Sequence, residues 1–299
     1  MKKVIGTGET ILDIIFKGGQ PQKANPGGSV FNGMVSLARA GLNAVFISEL
    51  SNDATGHLIL DFMKENRLLT DFVQIYEDGI SPVAMAFLND NNDAEYQFFR
   101  EPTVAKKQFL LPEIEEGDVV LTSSYFAVNP EMRSEVRRLL TQAKLNKALI
   151  YYDINLRRPH AKERERLMPA VLENFEFADI VRCSTEDIKL LFPDDTVKTI
   201  YSKYIDGKLF IVTDGAGDIL LKTACYENYY PVETIVPVST IGAGDNFNAG
   251  VIYFLIINNI TDLKDMTETL FGELVNSGKS FAQEVCLSIE NYIRNRFYM

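Results

Sequence analysis

The fold of this chain is decided by Val238–Phe247, which reads VSTIGAGDNF. Small residues at 242–244 allow the backbone to turn tightly, and an apolar helical pattern follows from Asn246 to Ile257. Several free backbone N–H groups therefore lie at a helix N-terminus, where anions bind. Asp245 lies among them, which suits an acid that takes a proton from a nucleophile while the amides hold a phosphate. The alternative is an ordinary N-terminal cap.

A second glycine-rich helix start lies in the N-terminal part of the chain. Gly27 and Gly28 precede a helix predicted over residues 29–40, which Ser29 can cap. Paired glycines allow a ligand to approach the backbone closely, and Asn32 can both donate and accept hydrogen bonds. The alternative here is a flexible turn followed by a cap.

Between and after these motifs, strands and helices alternate with short connections. This rhythm predicts an α/β fold with a mostly parallel sheet that is covered by helices on both faces. The Gly/Pro-rich segment 17–28 and a hairpin at 81–100 interrupt it, and we expect them to form a β-rich lid over the ligand crevice. The predicted strands cover 3–6, 11–16, 44–48, 83–88, 95–99, 119–122, 148–153, 180–181, 209–213, 219–223 and 232–236, and the predicted helices cover 29–40, 56–66, 131–145, 163–175, 185–191, 244–257 and 267–284.

Polar residues lie at the ends of several predicted strands, where ligand groups collect in sheets of this kind. Asp13 lies in an apolar run and either faces water or grips vicinal hydroxyl groups with its two oxygens. Segments 153–157 and 213–217 each follow an apolar strand, and the alternative for the second is a plain hairpin turn. Segment 182–187 precedes a helix and can supply its capping residues.

Composition excludes several classes of protein. A chain of 299 residues with 46 % hydrophobic residues can form a full core, and a net charge of −11 argues against a nucleic-acid surface. Three widely spaced cysteines indicate a reducing cytoplasm, and the N-terminus lacks the pattern of a signal peptide. No apolar run is long enough to cross a membrane, and the two histidines have no zinc-ligand spacing.

The order of these motifs resembles the PfkB family of carbohydrate kinases in the ribokinase-like superfamily, and bacterial fructokinases most of all. Two segments are similar to the family signatures: GGSVFN at 27–32, followed by ARAG at 38–41, and STIGAGD at 239–245. Two more, GETILD at 8–13 and FFREP at 98–102, resemble fructokinase segments. The resemblance covers nearly all of the chain.

This resemblance implies a three-layer αβα sandwich formed by one domain, 1–299, with a small β lid made of segments near 12–26 and 80–101. It also implies transfer of the ATP γ-phosphoryl group to a sugar hydroxymethyl group, with Mg²⁺ as a cofactor. By analogy Asp245 is the base, and the amides of Gly242, Ala243, Gly244 and Asp245 form the anion hole. The implied sugar contacts are Asp13, Gly28, Asn32 and Asn155, with Arg100 as a further candidate. The implied nucleotide contacts are Ser184, Thr213, Gly215, Gly217 and Asn276, while Asp187 acts on Mg²⁺ through water.

The chain departs from the family pattern at a few positions. Ser239 stands where the family usually has Asp, which puts potassium activation in doubt. Arg182 and Ser184 replace the commoner Lys and Asn, Ala105 falls where fructokinases carry Asp, and the usual Gly-containing C-terminal segment is missing. These departures bear on the choice of acceptor more than on the class of reaction.

Three functions are therefore compared. The first is a sugar kinase that acts on fructose, and the second is a kinase of the same architecture for a nucleoside, 2-keto-3-deoxygluconate or a sugar phosphate. The third is a catalytically silent regulator that binds a sugar or nucleotide. We expect a cytoplasmic protein with small-molecule partners, without nucleic acid or membrane partners, and with a homodimer formed through the lid.

Overall fold

Nine of the described strands form one large sheet at the centre of the molecule. The structure, a computed structural model, describes residues 2–89, 94–99 and 108–296. The strand order is β13-β12-β11-β10-β9-β8-β1-β4-β5, parallel from β5 to β11 and antiparallel for β12 and β13. These strands are β1 (Lys3–Thr7), β4 (Asn43–Ser51), β5 (Val73–Tyr76), β8 (Val119–Ser123), β9 (Leu149–Asp153), β10 (Ile180–Ser184), β11 (Leu209–Thr213), β12 (Ile219–Lys222) and β13 (Glu227–Tyr230).

Helices cover both faces of this sheet, so the predicted three-layer sandwich is confirmed. One face carries α1 (Ser29–Arg39), α2 (Ala54–Glu65), α8 (Ala243–Ile257) and α9 (Glu268–Cys286). The other carries α3 (Ser124–Val128), α4 (Arg133–Leu145), α5 (Arg164–Phe177) and α6 (Thr185–Leu191), with the short α7 (Val197–Ile200) beside them.

The apolar residues of the central strands are shared between the two helical layers. In β9, Tyr151 packs into the core under α1 and α8, whereas its neighbours Ile150 and Tyr152 pack into the opposite core. Successive side chains of a strand point to opposite faces, and both faces are covered here. This is why these strands read as continuous apolar runs in the sequence.

Four further strands form the separate small sheet that we call the lid. They are β2 (Ile11–Lys17), β3 (Gln20–Gly27), β6 (Val83–Leu88) and β7 (Ala94–Phe99), in the order β3-β2-β6-β7. Strand β3 includes Pro21 and Pro26. Proline can be tolerated there because β3 is an edge strand, where no second neighbour needs its amide.

The structure corrects several local predictions. The strand predicted at 232–236 is wrong, because the strand that pairs with β12 is β13. Segment 232–236 lies between Pro231 and Pro237 and joins no sheet, and Val236 is 89 % exposed. The helix predicted at 131–145 is preceded by a separate short helix, α3. Ser29 does not cap α1, because Gly28 holds the cap position and the Ser29 hydroxyl donates instead to Ser123 Oγ at 3.3 Å.

Close contact between α8 and α9 gives a test of this packing. A Cβ atom on Gly250 of α8 would lie 2.4 Å from the Ser277 carbonyl oxygen, so Gly250→Ala must push the two helices apart. We expect it to lower the free energy of unfolding by about 1–3 kcal/mol in urea titrations.

The matched control is Gly272→Ala in α9. The nearest atom to a Cβ at that position is 3.7 Å away, and alanine in a helix is favoured over glycine by about 0.5–1 kcal/mol. If Gly250→Ala stabilised the protein as much as Gly272→Ala does, the close crossing of the two helices would be wrong.

Candidate active site

Adjacent strands bring their polar ends to one edge of the central sheet. The neighbouring strands β8, β9, β10 and β11 are parallel and end at Ser123, Asp153, Ser184 and Thr213. Three of these ends belong to segments that the sequence singled out. Parallel strand order therefore places residues up to 90 positions apart at one edge of the sheet, the edge at which open α/β sheets have their ligand crevice.

The two glycine-rich helix starts meet at this same edge. Helices α1 and α8 pack together, and a Cβ on Gly33 would lie 3.1 Å from the Asp245 carbonyl oxygen. Asn32 Nδ2 donates a hydrogen bond to Asp245 Oδ2 at 2.8 Å. Below this contact, Ser36 Oγ donates to Asn246 Oδ1 inside the protein. The structure thus joins the motifs at 27–33 and 239–245 into one site.

The loop before α8 has the shape of an anion site. Gly242 is the cap residue with φ 78°, and the helix begins at Ala243. The amides of Gly244 and Asp245 lie in the first turn, where no intrahelical acceptor exists, while the amide of Ala243 donates to Thr240 O at 3.3 Å. Asn246 Nδ2 donates to the carbonyl oxygens of Gly242 and Asn291, both at 2.8 Å, and so holds the loop in place.

Asp245 lies between two amide side chains. Asn155 Nδ2 donates to its Oδ1 at 3.3 Å, opposite the bond from Asn32. Asn155 has φ 43°, a left-handed conformation that is uncommon outside glycine but is tolerated by Asn, and such outliers concentrate at functional sites. Burial raises the pKa of Asp245 to about 7, against the opposing effect of the Asn32 hydrogen bond.

Asp13 approaches the same crevice from the lid. A Cβ on Gly27 would lie 2.3 Å from Asp13 Oδ2, so the carboxylate lies directly against this glycine. Burial raises the pKa of Asp13 to about 7, the charge of Arg157 opposes this, and the charge of Asp245 adds to it. Gly28, next in the chain, has φ 135°, and any side chain there would meet the Glu9 carbonyl oxygen at 2.3 Å. Only glycine fits this position.

A buried ion pair supports the loop from below. Arg182 Nη1 donates to the two oxygens of Asp153 at 3.1 and 3.3 Å, and its Nη2 donates to Thr213 Oγ1 at 2.6 Å. A Cβ atom added to Gly244 would lie 3.1 Å from both terminal nitrogens of Arg182, so the guanidinium group lies directly under the anion loop. Asn248 Nδ2 completes the set by donating to Asp153 Oδ2 at 2.8 Å. A positive charge therefore lies fixed beside the place where an anion would bind.

The residues predicted around the nucleotide fall into two groups. Ser184 caps α6 and exchanges hydrogen bonds with Asp187, whose other oxygen accepts from the Leu156 amide at 2.8 Å. Thr213 accepts from Arg182 and begins the β11–β12 hairpin, whose turn includes Gly215 and Gly217. These residues lie along the edge of the crevice. Asn276 differs, since it is exposed on α9 and no hydrogen bond among the described residues links it to this network.

Two further residues complete the comparison with the sequence. Arg100, and with it Ala105, lies outside the described residues, so its predicted role stays a prediction. Arg157 was not among the candidate residues, yet its charge lowers the pKa of both Asp13 and Asp245. The signal was present in the sequence, because Arg157 follows Asn155 by two positions at the end of β9.

Among residues 2–89, 94–99 and 108–296, no group of three or more His, Cys, Asp or Glu side chains could hold a metal ion. Mg²⁺ in phosphate-transferring sites usually binds the phosphates, water and one or two carboxylates, and Asp245 and Asp187 both lie at the crevice. None of the helices in the described part of the chain combines the length and the apolar character needed to cross a bilayer.

Comparison with known proteins identifies the family. A family model described as "pfkB family carbohydrate kinase" matches residues 1–268. The chain belongs to this family. The protein is therefore an ATP-dependent carbohydrate kinase, as the motifs indicated.

Relatives with curated names are plant fructokinases. Fructokinase-2 of Oryza sativa subsp. japonica is 26 % identical over 259 residues, which cover 82 % of this chain and 77 % of the relative. Probable fructokinase-4 of Arabidopsis thaliana is 26 % identical over 250 residues, which cover 80 % of this chain and 76 % of the relative.

Similar solved structures confirm the ribokinase-like fold. Fructokinase from Vibrio cholerae O395, in its fructose, ADP and calcium ion bound form, gives a TM-score of 0.84 at 22 % identity and covers 97 % of this chain and 94 % of its own. Aminoimidazole riboside kinase from Salmonella enterica, complexed with aminoimidazole riboside and an ATP analogue, gives a TM-score of 0.82 at 20 % identity. The match covers 96 % of this chain and 94 % of that kinase.

The raised pKa values predict how activity depends on pH. If Asp245 accepts a proton and Asp13 accepts hydrogen bonds from the substrate, both must be ionised, and both have a pKa of about 7. We expect kcat/KM to fall as the pH decreases through 7, with a limb steeper than that of one proton because both acids must be ionised. A pH profile between 5.5 and 9 measures this.

Asp13→Asn separates the two acids. This variant keeps the shape of the side chain but removes the ionisation of residue 13, so its acidic limb should have the slope of a single proton. The limb should also lie at lower pH, because loss of the negative charge on residue 13 lowers the pKa of Asp245. An acidic limb in the wild type that lay near pH 4 would contradict the pKa values of this site.

Proposed function

We propose that this kinase transfers the γ-phosphoryl group of ATP to the hydroxymethyl group of fructose. The observation that supports this most strongly is the contact of Asn32 with Asp245, which places a carboxylate at the start of α8 beside free main-chain amides. The plant relatives that carry the name fructokinase support the choice of acceptor.

Asp245 is the base in this proposal. Its two oxygens accept from Asn32 and Asn155, so the carboxylate is held in one orientation before the substrate binds. In a loose phosphoryl-transfer transition state, positioning of the hydroxyl and neutralisation of charge supply most of the acceleration. Asp245 therefore has to orient the hydroxyl and take its proton late in the reaction. A pKa of about 7 suits that exchange at neutral pH.

The phosphate is stabilised at the start of α8. The amides of Gly244 and Asp245 and the positive end of the helix point toward the developing charge, and Arg182 adds a fixed positive charge below them. Mg²⁺, when bound, would supply positive charge that offsets part of the negative charge of the phosphates. Asp187, buried beside the crevice, is the residue we propose to act on the ion through water.

Asp13, Gly28, Asn32 and Asn155 are the proposed contacts of the acceptor, with Arg100 as a further candidate. Asp13 can accept hydrogen bonds from two hydroxyl groups, and Gly28 offers only backbone atoms. Ser184, Thr213, Gly215, Gly217 and Asn276 are the proposed contacts of the nucleotide. Ser239 carries a neutral hydroxyl where the family usually has a carboxylate, and this hydroxyl accepts a hydrogen bond from the Ile241 amide at 3.2 Å.

A nucleoside is the second candidate acceptor. The structure of aminoimidazole riboside kinase matches this fold almost as well as the fructokinase does, with TM-scores of 0.82 and 0.84. Both kinds of acceptor offer a hydroxymethyl group beside vicinal hydroxyls. The fold alone therefore cannot separate them, and an assay must do so.

The test is a coupled assay of ADP release with a panel of acceptors: fructose, other hexoses, ribose, nucleosides, 2-keto-3-deoxygluconate and fructose 6-phosphate. We expect the highest kcat/KM with fructose and little ADP release without an acceptor. Release with nucleosides alone would overturn fructose in favour of the second candidate. No turnover with any acceptor would indicate a silent binding protein.

Asp245→Asn tests the base. This substitution keeps the size of the side chain but removes the proton acceptor, and we expect kcat to fall by about 10²–10⁴-fold. Asp61→Asn on the exposed surface of α2 is the matched control, with unchanged turnover expected. Wild-type turnover in Asp245→Asn would remove this residue from the mechanism.

We also propose that two copies pair through the lid. Side chains alternate along its strands, so Phe16 and Phe87 lie on the face opposite Asp13, where their rings stack at 5.0 Å between centroids. Phe87 is 36 % exposed, and Phe99 on the same face is 51 % exposed. A second copy would cover this apolar face and remove it from water.

Phe87→Ser tests the pairing by sedimentation velocity. We expect the wild type to sediment as a dimer and the variant to shift toward the monomer, since a polar residue weakens an apolar contact. Leu58→Ser on α2 removes a similarly exposed apolar side chain elsewhere and should leave the dimer intact. A wild type that stays monomeric at high protein concentration would exclude the proposal.

A further inference from the structure

Beside the carboxylate of Asp13 lie two buried amide groups that the proposed function has not used. The Nδ2 atoms of Asn25 and Asn291 are both shielded from water, and neither has a hydrogen-bond partner among the described residues. The two residues are 4 % and 2 % exposed. A buried donor without a partner costs about 1–3 kcal/mol, so two of them at one place point to a ligand that supplies the acceptors.

Asn25 lies directly opposite Asp13 in the lid. Strands β2 and β3 are antiparallel, and their register pairs Asp13 with Asn25. Residues that face each other in an antiparallel pair project to the same side of the sheet, with Cβ atoms roughly 4.5–5.5 Å apart. The amide of Asn25 is therefore on the crevice side, next to the carboxylate, without a direct hydrogen bond to it.

Asn291 reaches the same place from the other end of the chain. A Cβ atom added to Gly27 would lie 3.8 Å from Asn291 Nδ2 and 2.3 Å from Asp13 Oδ2. The amide of Asn291 and the carboxylate of Asp13 therefore lie on the same side of Gly27. The backbone oxygen of Asn291 accepts from Asn246, which also holds Gly242, and the next residue, Tyr292, donates to the Pro26 carbonyl oxygen. Asn291 thus contacts the anion loop with its backbone and faces the lid with its side chain.

These groups together are complementary to a hydroxyl group. The ionised carboxylate of Asp13 can only accept hydrogen bonds, whereas the two Nδ2 groups can only donate them. A hydroxyl group that donates a hydrogen bond to Asp13 still has lone pairs on its oxygen. These lone pairs can accept the hydrogen bonds for which the two amide groups have no partner. Water could bridge the same groups, but two hydroxyls held on a rigid sugar ring would do so with less loss of entropy.

We propose that Asn25 and Asn291 are specificity-determining residues that donate hydrogen bonds to the oxygens of the hydroxyl groups from which Asp13 accepts hydrogen bonds. This inference rests on the proposed function, because it requires the acceptor to bind at Asp13. It assigns to the C-terminal segment a part in reading the acceptor. It also explains how the site rejects an alcohol that lacks these hydroxyls, since both donors would then stay buried without partners.

The experiment compares Asn25→Ala and Asn291→Ala with the wild type, using the acceptor that the panel assay identifies and its monodeoxy analogues. We expect KM for the acceptor to rise by about 5- to 100-fold in each variant, the loss expected for one buried hydrogen bond. KM for ATP and kcat should stay within about twofold. For each variant, one deoxy analogue should have the same KM with the variant as with the wild type. That analogue lacks the hydroxyl group to which the replaced amide would donate, so removing the amide costs nothing more.

Gln22→Ala, an exposed position on the same strand as Asn25, is the control and should behave as the wild type. Urea unfolding of each variant separates a loss of recognition from a loss of folding, and Asn25→Ser and Asn291→Ser replace any alanine variant that does not fold. Unchanged KM for the acceptor, or equal losses for every deoxy analogue and for ATP, would overturn the inference. Its failure is distinct from that of the proposed function, which fails if the wild type phosphorylates no acceptor.

Discussion

The proposed active site depends on one hydrogen bond, from Asn32 to Asp245, and on the helix packing that makes it possible. Helix α1 begins after the glycine pair that faces the lid, and α8 begins after the anion loop. Because the two helices pack against each other, the bond holds the carboxylate between the positions that we propose for the acceptor and for the phosphate. In this proposal, loosening either helix would separate the two reacting groups.

Positively charged groups lie close to the buried carboxylates on both sides of the Asn32–Asp245 hydrogen bond. Burial favours the neutral forms of Asp13 and Asp245, while the N-terminus of α8 and the charge of Arg157 favour the ionised forms. Asp153 holds Arg182 in the interior, so the positive charge under the anion loop cannot move away. The proposed binding of an anionic nucleotide here is compatible with a net charge of −11, because local charges and dipoles act at shorter range than the overall field.

Much of the architecture follows from local patterns. Continuous apolar runs indicated β9, β10 and β11, and the limits predicted for α6 and β11 agree with the structure. The failures have physical reasons. The segment at 232–236 has the composition of a strand, but the prolines beside it prevent pairing, while β3 forms in spite of its prolines because it pairs on one side only. Single-residue propensity does not say which edge of a strand will be used.

Glycine-rich helix starts and polar strand ends are local features of the chain, so the sequence was enough to predict the class of fold, the family and the segments in which we propose the chemistry. The tertiary structure alone decided that Arg157 influences both acids, that Arg182 lies under the anion loop, and that Asn25 and Asn291 flank Asp13. Such relations join residues up to nearly 280 positions apart, and they arise from strand order, register and helix packing. No pattern within a short window of sequence contains that information.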